Sequence, residues 1–272
     1  MIGNEQRLNL AVDYALFSFI LNNLKACNMK KMIVLIALIG ISISTAWSQE
    51  KDNRNYRIPL IGEKAPSFTA ESTNGPITFP DDFGGKWKIL FSHPQDFTPV
   101  CSSELLELAY LQKEFDRLGV KMAVVSTDVL DRHVQWKKAL EDIAYKGRPA
   151  QKIKFPLIED KSLVISKMYG MIHEATNTTK DVRGVFIIDP DDVIQAIYFY
   201  PMSVGRNSEE LLRTVEALQK VSDKKYATPS DWKPGNDLII ITPPVTDQRT
   251  ENVPDGFYKL SWFMWFEKAK KM

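Results

Sequence analysis

Residues 92–104 read SHPQDFTPVCSSE, and this stretch decides the fold around it. Before it lies the apolar run Lys88–Ser92, which predicts a short strand. After it, apolar residues recur at spacings of three and four and predict an amphipathic helix that ends at Gly119: Leu108, Leu111, Phe115 and Leu118. The stretch is therefore predicted to form the loop between a strand and a helix, followed by the first turn of that helix.

Cys101 is predicted to lie in the first turn of this helix. Pro99 fits the first helical position because a proline lacks the amide hydrogen that would have no partner there. The first turn presents unpaired backbone N–H groups and the positive end of the helix dipole, which favour a nucleophilic thiolate. Thr98, three residues earlier, could donate a hydrogen bond to that sulfur or to an oxygen atom of a bound substrate. A lone cysteine is more often a small buried apolar side chain, but the spacing of Thr98 and Pro99 before a helix argues against that alternative here.

The segment from Tyr56 to Pro201 alternates strand-like with helix-like patterns. The apolar run Val120–Ser126 predicts a second strand, and two amphipathic segments predict helices over Asp131–Ala144 and Lys161–Tyr169. Two more apolar runs flank a turn-forming tetrapeptide and predict a β-hairpin: Val185–Ile188 and Val193–Phe199. Strands that alternate with helices and then form a hairpin predict an α/β fold, with a mixed sheet and helices on both faces.

The C-terminal part of the chain differs in composition from the segment before it. A helix is predicted over Ser208–Lys220, with Asn207 as its N-cap and Glu210 returning a hydrogen bond to it. Residues 226–256 are rich in proline and contain one strand-like run, Leu238–Ile241, so they must pack on another part of the protein. An aromatic cluster follows: Trp262, Phe263, Trp265 and Phe266. A dimer contact or docking on the main domain would cover it, and packing within the chain without a partner is the alternative.

The N-terminal part has the pattern of an export signal. Two lysines precede an apolar run at 32–41, and the small residues Ala46 and Ser48 lie at positions −3 and −1 of a cleavage site after Ser48, which together predict a signal peptide over residues 29–48. The apolar run is shorter than the about 20 residues of a membrane-spanning helix. We therefore predict export to a bacterial periplasm, without stable membrane insertion after signal cleavage. An uncleaved anchor that tethers the protein to the membrane is the alternative.

Residues 1–28 lie upstream of the predicted signal peptide, so we interpret them as a spurious extension and place the true start at Met29. Cys27 is then missing from the exported chain, and Cys101 is its single thiol. Two cysteines and three histidines argue against a structural zinc site. A net charge of +1 gives no general attraction to nucleic acid. No metal, cofactor or nucleic acid is therefore predicted as a partner.

The motif Pro94-x-x-x-Thr98-x-x-Cys101 resembles the active-site motif of the peroxiredoxin family. The longer run His93–Cys101 resembles the one-cysteine, peroxiredoxin-6-like subfamily. Further motifs continue the resemblance along the chain, in the order that the family has them: Arg183–Asp189, Tyr200–Pro201, Gly205–Asn207 and Ala227–Lys233. Several motifs in the right order make the resemblance more specific than any one of them.

This resemblance implies a thioredoxin-like domain over residues 56–204 and a small C-terminal peroxiredoxin domain over residues 205–272 that forms a homodimer. It also implies a thiol peroxidase that reduces hydrogen peroxide and organic hydroperoxides through a sulfenic acid on Cys101, in antioxidant defence and redox homeostasis. Because a second thiol is missing from the predicted mature chain, the reductant must be an external thiol or another external partner.

The resemblance assigns catalytic roles to four residues: Cys101, Thr98, Pro94 and Arg183. The cysteine attacks the peroxide, and the proline shields the sulfur from water. The threonine and the arginine hold the peroxide and stabilise the thiolate and the leaving oxyanion. Glu104 and Arg206 are implied to orient the arginine through hydrogen bonds. For His93 two interpretations stay open, a hydrogen-bond donor behind the site or an ordinary hydrogen-bonded histidine at a strand end.

Two other functions compete with this one. A thioredoxin-class disulfide oxidoreductase would share the fold, but its chemistry needs a second sulfur, and Thr98 occupies the place of the first cysteine in a CxxC motif. A non-enzymatic holdase chaperone would instead use the aromatic C-terminal cluster to bind unfolded chains.

Overall fold

The computed structural model describes residues 57–243 and 252–269. The predicted segments 1–28 and 29–48 and the residue Cys27 lie outside this part of the chain. The helices and strands of the described residues follow in chain order: β1 (Phe68–Ala70), β2 (Ile77–Phe79), β3 (Trp87–Ser92), α1 (Pro99–Arg117), β4 (Val120–Ser126), α2 (Leu130–Leu140), β5 (Leu157–Glu159), α3 (Val164–Met168), β6 (Arg183–Ile188), β7 (Ile194–Tyr200), α4 (Ser208–Lys220), β8 (Tyr226–Ala227), β9 (Leu238–Ile240), β10 (Phe257–Ser261) and β11 (Met264–Glu267). None of the described helices has the length and apolar character that spanning a membrane requires.

A five-stranded mixed sheet lies at the centre of the fold, with the strand order β5-β4-β3-β6-β7. β3 pairs in parallel with β4, and β4 pairs in parallel with β5. β6 runs antiparallel to both of its neighbours, β3 and β7, so the predicted hairpin and the predicted mixed sheet are both confirmed. The middle strands β3, β4 and β6 are almost entirely buried, as expected for a sheet that is covered on both faces.

Helices lie on both faces of this sheet, as predicted. On one face, α1, α2 and α4 contribute Leu108, Trp136 and Val215 to a core cluster. On the other face, β1 and α3 contribute Phe68 and Ile165 to a second cluster. The helix that carries Cys101 is therefore packed firmly against the sheet, which fixes the position of its first turn.

The connection from β3 to α1 matches the prediction made from residues 92–104. Pro99 is the first residue of α1, and Thr98 before it has the extended backbone of an N-cap residue (φ −111°, ψ 146°). Cys101 therefore lies in the first helical turn. Phe97 has a φ of 57°, in the left-handed region that a bulky residue rarely adopts.

Two helices are shorter than predicted. α2 ends at Leu140 rather than Ala144, because the N–H groups of Asp142 and Ile143 form hydrogen bonds that reach back only three residues, as in a tight final turn. α3 begins at Val164 rather than Lys161, because Leu163 has a left-handed φ of 60° and cannot belong to a right-handed helix.

The predicted bounds of α4 are confirmed, and so is its N-cap. The Oδ1 atom of Asn207 accepts hydrogen bonds from the backbone N–H groups of Glu209 (3.0 Å) and Glu210 (3.1 Å). The predicted return bond from the Glu210 side chain is wrong. Its carboxylate instead accepts hydrogen bonds from Arg213 and Thr214, one turn further along the same helix.

The C-terminal part forms a four-stranded sheet with the order β10-β11-β9-β8. It packs beside α4 through three buried side chains: Ala217, Trp232 and Leu238. The aromatic cluster is divided. Trp265 and Phe266 are buried in the chain, whereas Trp262 and Phe263 are 57% and 64% exposed. Packing within the chain thus covers half of the cluster, and the domain division between residues 204 and 205 stays a prediction.

Candidate active site

Cys101 is buried in the first turn of α1 and faces the guanidinium group of Arg183. Its side chain is 1% exposed, and the Nη1 atom of Arg183 lies 3.3 Å from its sulfur. The arginine comes from the first residue of β6, which lies next to β3 in the central sheet. The fold thus brings together two residues that are far apart in the sequence. A cation that donates a hydrogen bond to the sulfur favours the thiolate, the reactive form.

The guanidinium of Arg183 is held on both sides. Its Nη1 atom donates to the Oε2 atom of Glu104 at 2.6 Å, and its Nε atom donates to the carbonyl oxygen of Met202 at 2.9 Å. Its Nη2 atom donates to the same carbonyl. The side chain is almost completely buried, so these bonds leave it little freedom to turn away from the sulfur.

Glu104 connects Arg183 to a second buried arginine, Arg206. The Nε and Nη2 atoms of Arg206 each donate to the carboxylate of Glu104 at 2.8 Å, and its backbone N–H group does the same. Burial by itself would raise the pKa of Glu104, but the hydrogen bonds and positive charges of the two arginines lower it. The arginine cation also lies 3.3 Å from the ring centre of Phe91. The structure therefore brings Glu104 and Arg206 to Arg183, where the resemblance implied them.

Thr98 and Pro94 flank this group. The hydroxyl of Thr98 donates to the carbonyl oxygen of Gln95 at 2.9 Å, so its proton points into the loop and not at the sulfur. A donor role for Thr98 toward the substrate therefore needs a rotation of its side chain. Pro94 is buried at the beginning of the same loop. Both residues belong to the segment that leads into the first turn of α1.

His93 takes part in a buried network that sequence reasoning missed. Its Nε2 atom lies 2.7 Å from the Oδ1 atom of Asp96, and the Nδ1 atom of His133 lies 2.7 Å from the other carboxylate oxygen. Burial would raise the pKa of Asp96, but hydrogen bonds from the two histidines hold it at about 2. Burial lowers the pKa of His93. A neutral His93 that donates a hydrogen bond to an ionised Asp96 is consistent with the lowered pKa of both groups.

The same three residues are the candidate metal ligands in the described part of the chain. Their ligand atoms lie within 4.8 Å of one another, and histidine nitrogen with carboxylate oxygen is a donor set that Zn²⁺ accepts. However, each carboxylate oxygen already receives one histidine at 2.7 Å. These hydrogen bonds account for the arrangement of His93, Asp96 and His133 without an ion.

Asp181 is a second buried acid beside the site. It is fully buried two residues before Arg183, and neither of its carboxylate oxygens has a hydrogen-bond partner among the described residues. Burial raises its pKa well above the usual range of an aspartate.

A comparison with protein families finds the AhpC/TSA family over residues 61–197, the part of the chain that holds Cys101, Arg183 and most of the central sheet. The chain belongs to this peroxiredoxin family. Peroxiredoxins are peroxidases that use a cysteine thiol, so the protein is an oxidoreductase that acts on peroxide. The family predicted from residues 93–101 is confirmed.

Individual peroxiredoxins resemble the chain over most of its length. A peroxiredoxin of Methanosarcina mazei is 47% identical over 215 residues, which are 78% of this chain and 98% of the relative. The structure of a yeast mitochondrial 1-Cys peroxiredoxin matches with a TM-score of 0.67 at 35% identity, and that of a mutant of the peroxiredoxin 6 of Arenicola marina with 0.68 at 31%. Each covers 78% of this chain and 100% of the solved chain. The similarity to one-cysteine and peroxiredoxin-6 structures agrees with the predicted subfamily and with a thioredoxin-like fold.

Proposed function

We propose that this peroxiredoxin reduces hydrogen peroxide and organic hydroperoxides through a sulfenic acid on Cys101 and relies on an external reductant. The observation that carries the proposal is the 3.3 Å contact between the Nη1 atom of Arg183 and the sulfur. Because Glu104 and the Met202 carbonyl hold this arginine, its donors stay beside the sulfur when a peroxide approaches. Such donors, fixed before the reaction, stabilise charge as it develops in the transition state.

In the proposed reaction, the thiolate of Cys101 attacks the terminal oxygen of the peroxide. A sulfur–oxygen bond forms, the oxygen–oxygen bond breaks, and the leaving hydroxide or alkoxide takes up a proton from solvent, which replaces the proton that the Cys101 thiol released when it ionised. Arg183 stabilises the thiolate and then the leaving oxyanion. Thr98 holds the peroxide after its hydroxyl turns away from Gln95, and the buried Pro94 keeps water from the sulfur.

The sulfenic acid then needs an external thiol. Cys101 is the one cysteine of the described residues, and it is free. One thiol would form a mixed disulfide with Cys101 and release water, and a second thiol would restore the Cys101 thiol and leave as a disulfide. The yeast 1-Cys peroxiredoxin is described as resolved by the glutathione and thioredoxin systems, which supports a thiol of either kind for this protein.

We expect dimedone, a reagent for sulfenic acids, to label Cys101 of the reduced full-length chain after one equivalent of hydrogen peroxide. Continued peroxide consumption should require added dithiothreitol, glutathione or reduced thioredoxin. Mass spectrometry of the labelled peptide and a peroxide assay measure the two effects. The Cys27→Ser variant is the control and should behave like the parent. A disulfide between Cys27 and Cys101, or turnover without added thiol, would contradict the one-cysteine mechanism.

We further propose that the protein acts in antioxidant defence after export, as a homodimer. The signal-peptide pattern over residues 29–48 supports export to a periplasm, and the exposed Trp262 and Phe263 offer an apolar contact for a second copy. N-terminal sequencing of the protein from its native host should give a chain that begins after Ser48. A native chain that begins before Met29 would contradict both the proposed start and the proposed leader.

A further inference from the structure

We propose that Asp96 is a positioning residue that fixes the active-site loop, residues 93–98, to α2 and thereby places Thr98 relative to Cys101. The proposal rests on the proposed peroxidase function and adds a residue outside the group around Arg183. It predicts a specific defect, in which peroxide reacts more slowly although the sulfur keeps its reactivity toward other reagents.

The side chain of Asp96 is the centre of a buried chain of hydrogen bonds. One carboxylate oxygen receives His93, at the start of the loop, and the other receives His133 of α2. All three side chains are fully buried. The Nε2 atom of His133 lies 3.2 Å from the carbonyl oxygen of Ile158 in β5. The loop is thus connected through Asp96 to α2 and to the edge of the central sheet.

The backbone of Asp96 is held as well. Its N–H group donates to the Oδ2 atom of Asp128 at 2.7 Å, and its carbonyl oxygen accepts a hydrogen bond from Arg132 at 3.2 Å. Asp128 itself is paired with Lys180 at 2.8 Å. Side chain and main chain of Asp96 are therefore both attached to the region where β4 leads into α2.

This attachment explains the unusual backbone of the next residue. Phe97 adopts a φ of 57°, a conformation that a bulky residue keeps only when its surroundings impose it. Thr98 follows with extended backbone as the N-cap of α1. If Asp96 is released, Phe97 can return to a negative φ, and the direction in which the chain enters the helix changes. Thr98 would then move relative to the peroxide.

Arg183 should not move in the same way. It is held by Glu104 of α1 and by the carbonyl oxygen of Met202, and none of its hydrogen bonds involves the 93–98 loop. The contact that favours the thiolate therefore survives the loss of Asp96. This separation allows peroxide positioning to be tested apart from the reactivity of the thiolate.

The test compares two rates at Cys101 in the full-length protein. Stopped-flow mixing with hydrogen peroxide measures sulfenic acid formation, and mass spectrometry of the Cys101 peptide measures alkylation by iodoacetamide. In Asp96→Asn we expect the peroxide rate to fall about 10- to 100-fold, the size of effect that a displacement of about 1 Å can cause. Alkylation should change less than about threefold, because it needs the thiolate but not Thr98.

Asp160→Asn is the matched control. Asp160 is also a buried aspartate, and its carboxylate accepts hydrogen bonds from the backbone N–H groups of Ile165 and Ser166, outside the active-site loop. Its replacement should leave unchanged the ratio of the peroxide rate to the alkylation rate. The proposal is overturned if Asp96→Asn keeps the parent ratio, or if Asp160→Asn lowers the ratio equally.

A second pair of variants covers the case in which Asp96→Asn does not fold. The side-chain amide of His133→Asn can replace the Nδ1 donor to Asp96, whereas His133→Leu cannot. We expect the ratio to stay within about threefold of the parent in the first and to fall at least about tenfold in the second. Equal ratios in the two variants would overturn the proposal. A parent protein that forms no sulfenic acid would instead contradict the proposed function itself.

Discussion

The Cys101→Ser variant is expected to consume hydrogen peroxide no faster than buffer, a loss of at least about 10³-fold relative to the parent. A serine hydroxyl is not ionised at neutral pH and cannot be oxidised by peroxide, so both the nucleophile and the oxygen acceptor are missing. The site should otherwise stay intact, because serine is close in size to the buried cysteine. Arg183 keeps its bonds to Glu104 and to the Met202 carbonyl.

The measurement is peroxide consumption by purified protein with an external thiol in excess. Circular dichroism and the midpoint of thermal unfolding show whether the variant is folded. Cys27→Ser is the control, since it removes the other thiol of the full-length chain and should leave the rate unchanged. If Cys101→Ser consumes peroxide at the parent rate, Cys101 is not the peroxidatic residue.

The same variant separates the enzyme from a holdase. A holdase would act through exposed apolar side chains, and Trp262 and Phe263 in the turn between β10 and β11 are the aromatic side chains of the cluster that are exposed. Suppression of the aggregation of an unfolded client would therefore survive Cys101→Ser and fall in Trp262→Ser. Loss of peroxide consumption with Cys101→Ser, and no effect of Trp262→Ser, would leave peroxidase activity as the function.

The part of the site that could be predicted depends on local signals. Pro99 and the apolar spacing after it determine where α1 begins, and the position of Cys101 in the first turn follows from them. Residues that are far from Cys101 in the sequence give no such local signal that they belong to the site. Arg183 lies at the start of a strand, where an arginine is often an ordinary surface residue, and its proximity to Cys101 depends on the pairing of β3 with β6. Only the family resemblance pointed to it.

The features of the site that could not be predicted depend on contacts between residues that lie far apart in the sequence. The sequence around His133 gives no sign of its role, because His133 lies in helix α2 and its partner Asp96 lies in the loop between β3 and α1. The same loop contacts hold Phe97 at positive φ, which no local propensity favours. The hydroxyl of Thr98 donates to the carbonyl oxygen of Gln95 in its own loop, an acceptor that the spacing of Thr98 and Cys101 does not reveal. The backbone path of a loop decides which hydrogen-bond acceptors a side chain can reach.

Replacement of Glu104 by glutamine should lower the free energy of unfolding at pH 7 by about 3–5 kcal/mol. The carboxylate accepts hydrogen bonds from the side chains of Arg183 and Arg206 and from one backbone N–H group. Glutamine has nearly the same shape, but it carries no negative charge and its amide nitrogen cannot accept. Two buried guanidinium groups would then lack their shared counter-ion.

The peroxide rate should fall as well, by about 10- to 100-fold. Arg183 would keep its bonds to the Met202 carbonyl but lose the one that positions Nη1 between Glu104 and the sulfur. Repulsion between the two arginines would move it further from Cys101. In contrast to Asp96→Asn, this variant should also slow alkylation by iodoacetamide, because the contact that favours the thiolate is weakened.

Glu107→Gln is a control on the same helix, three residues further along. Glu107 pairs with Lys146 and Arg148 near the surface, where exposed ion pairs contribute about 0–1 kcal/mol. We expect urea unfolding curves of this variant to lie close to those of the parent. Similar losses of unfolding free energy in Glu104→Gln and Glu107→Gln would show that a substitution anywhere in helix α1 causes the effect, and not the loss of the buried charge cluster.

The pH dependence of the unfolding free energy gives a sharper test of the charge cluster formed by Glu104, Arg183 and Arg206. The two arginines lower the pKa of Glu104 below the unfolded value of 4.5, against the opposing effect of burial. The folded protein therefore binds this proton less readily than the unfolded chain. The stability that the ionised carboxylate contributes is fully present above about pH 4.5 and is lost as the pH falls through the lower pKa of the folded state. Glutamine cannot titrate, so the difference in unfolding free energy between parent and Glu104→Gln should shrink below pH 4.5. A difference that stays constant with pH would mean that lost packing, and not lost charge, destabilises the variant.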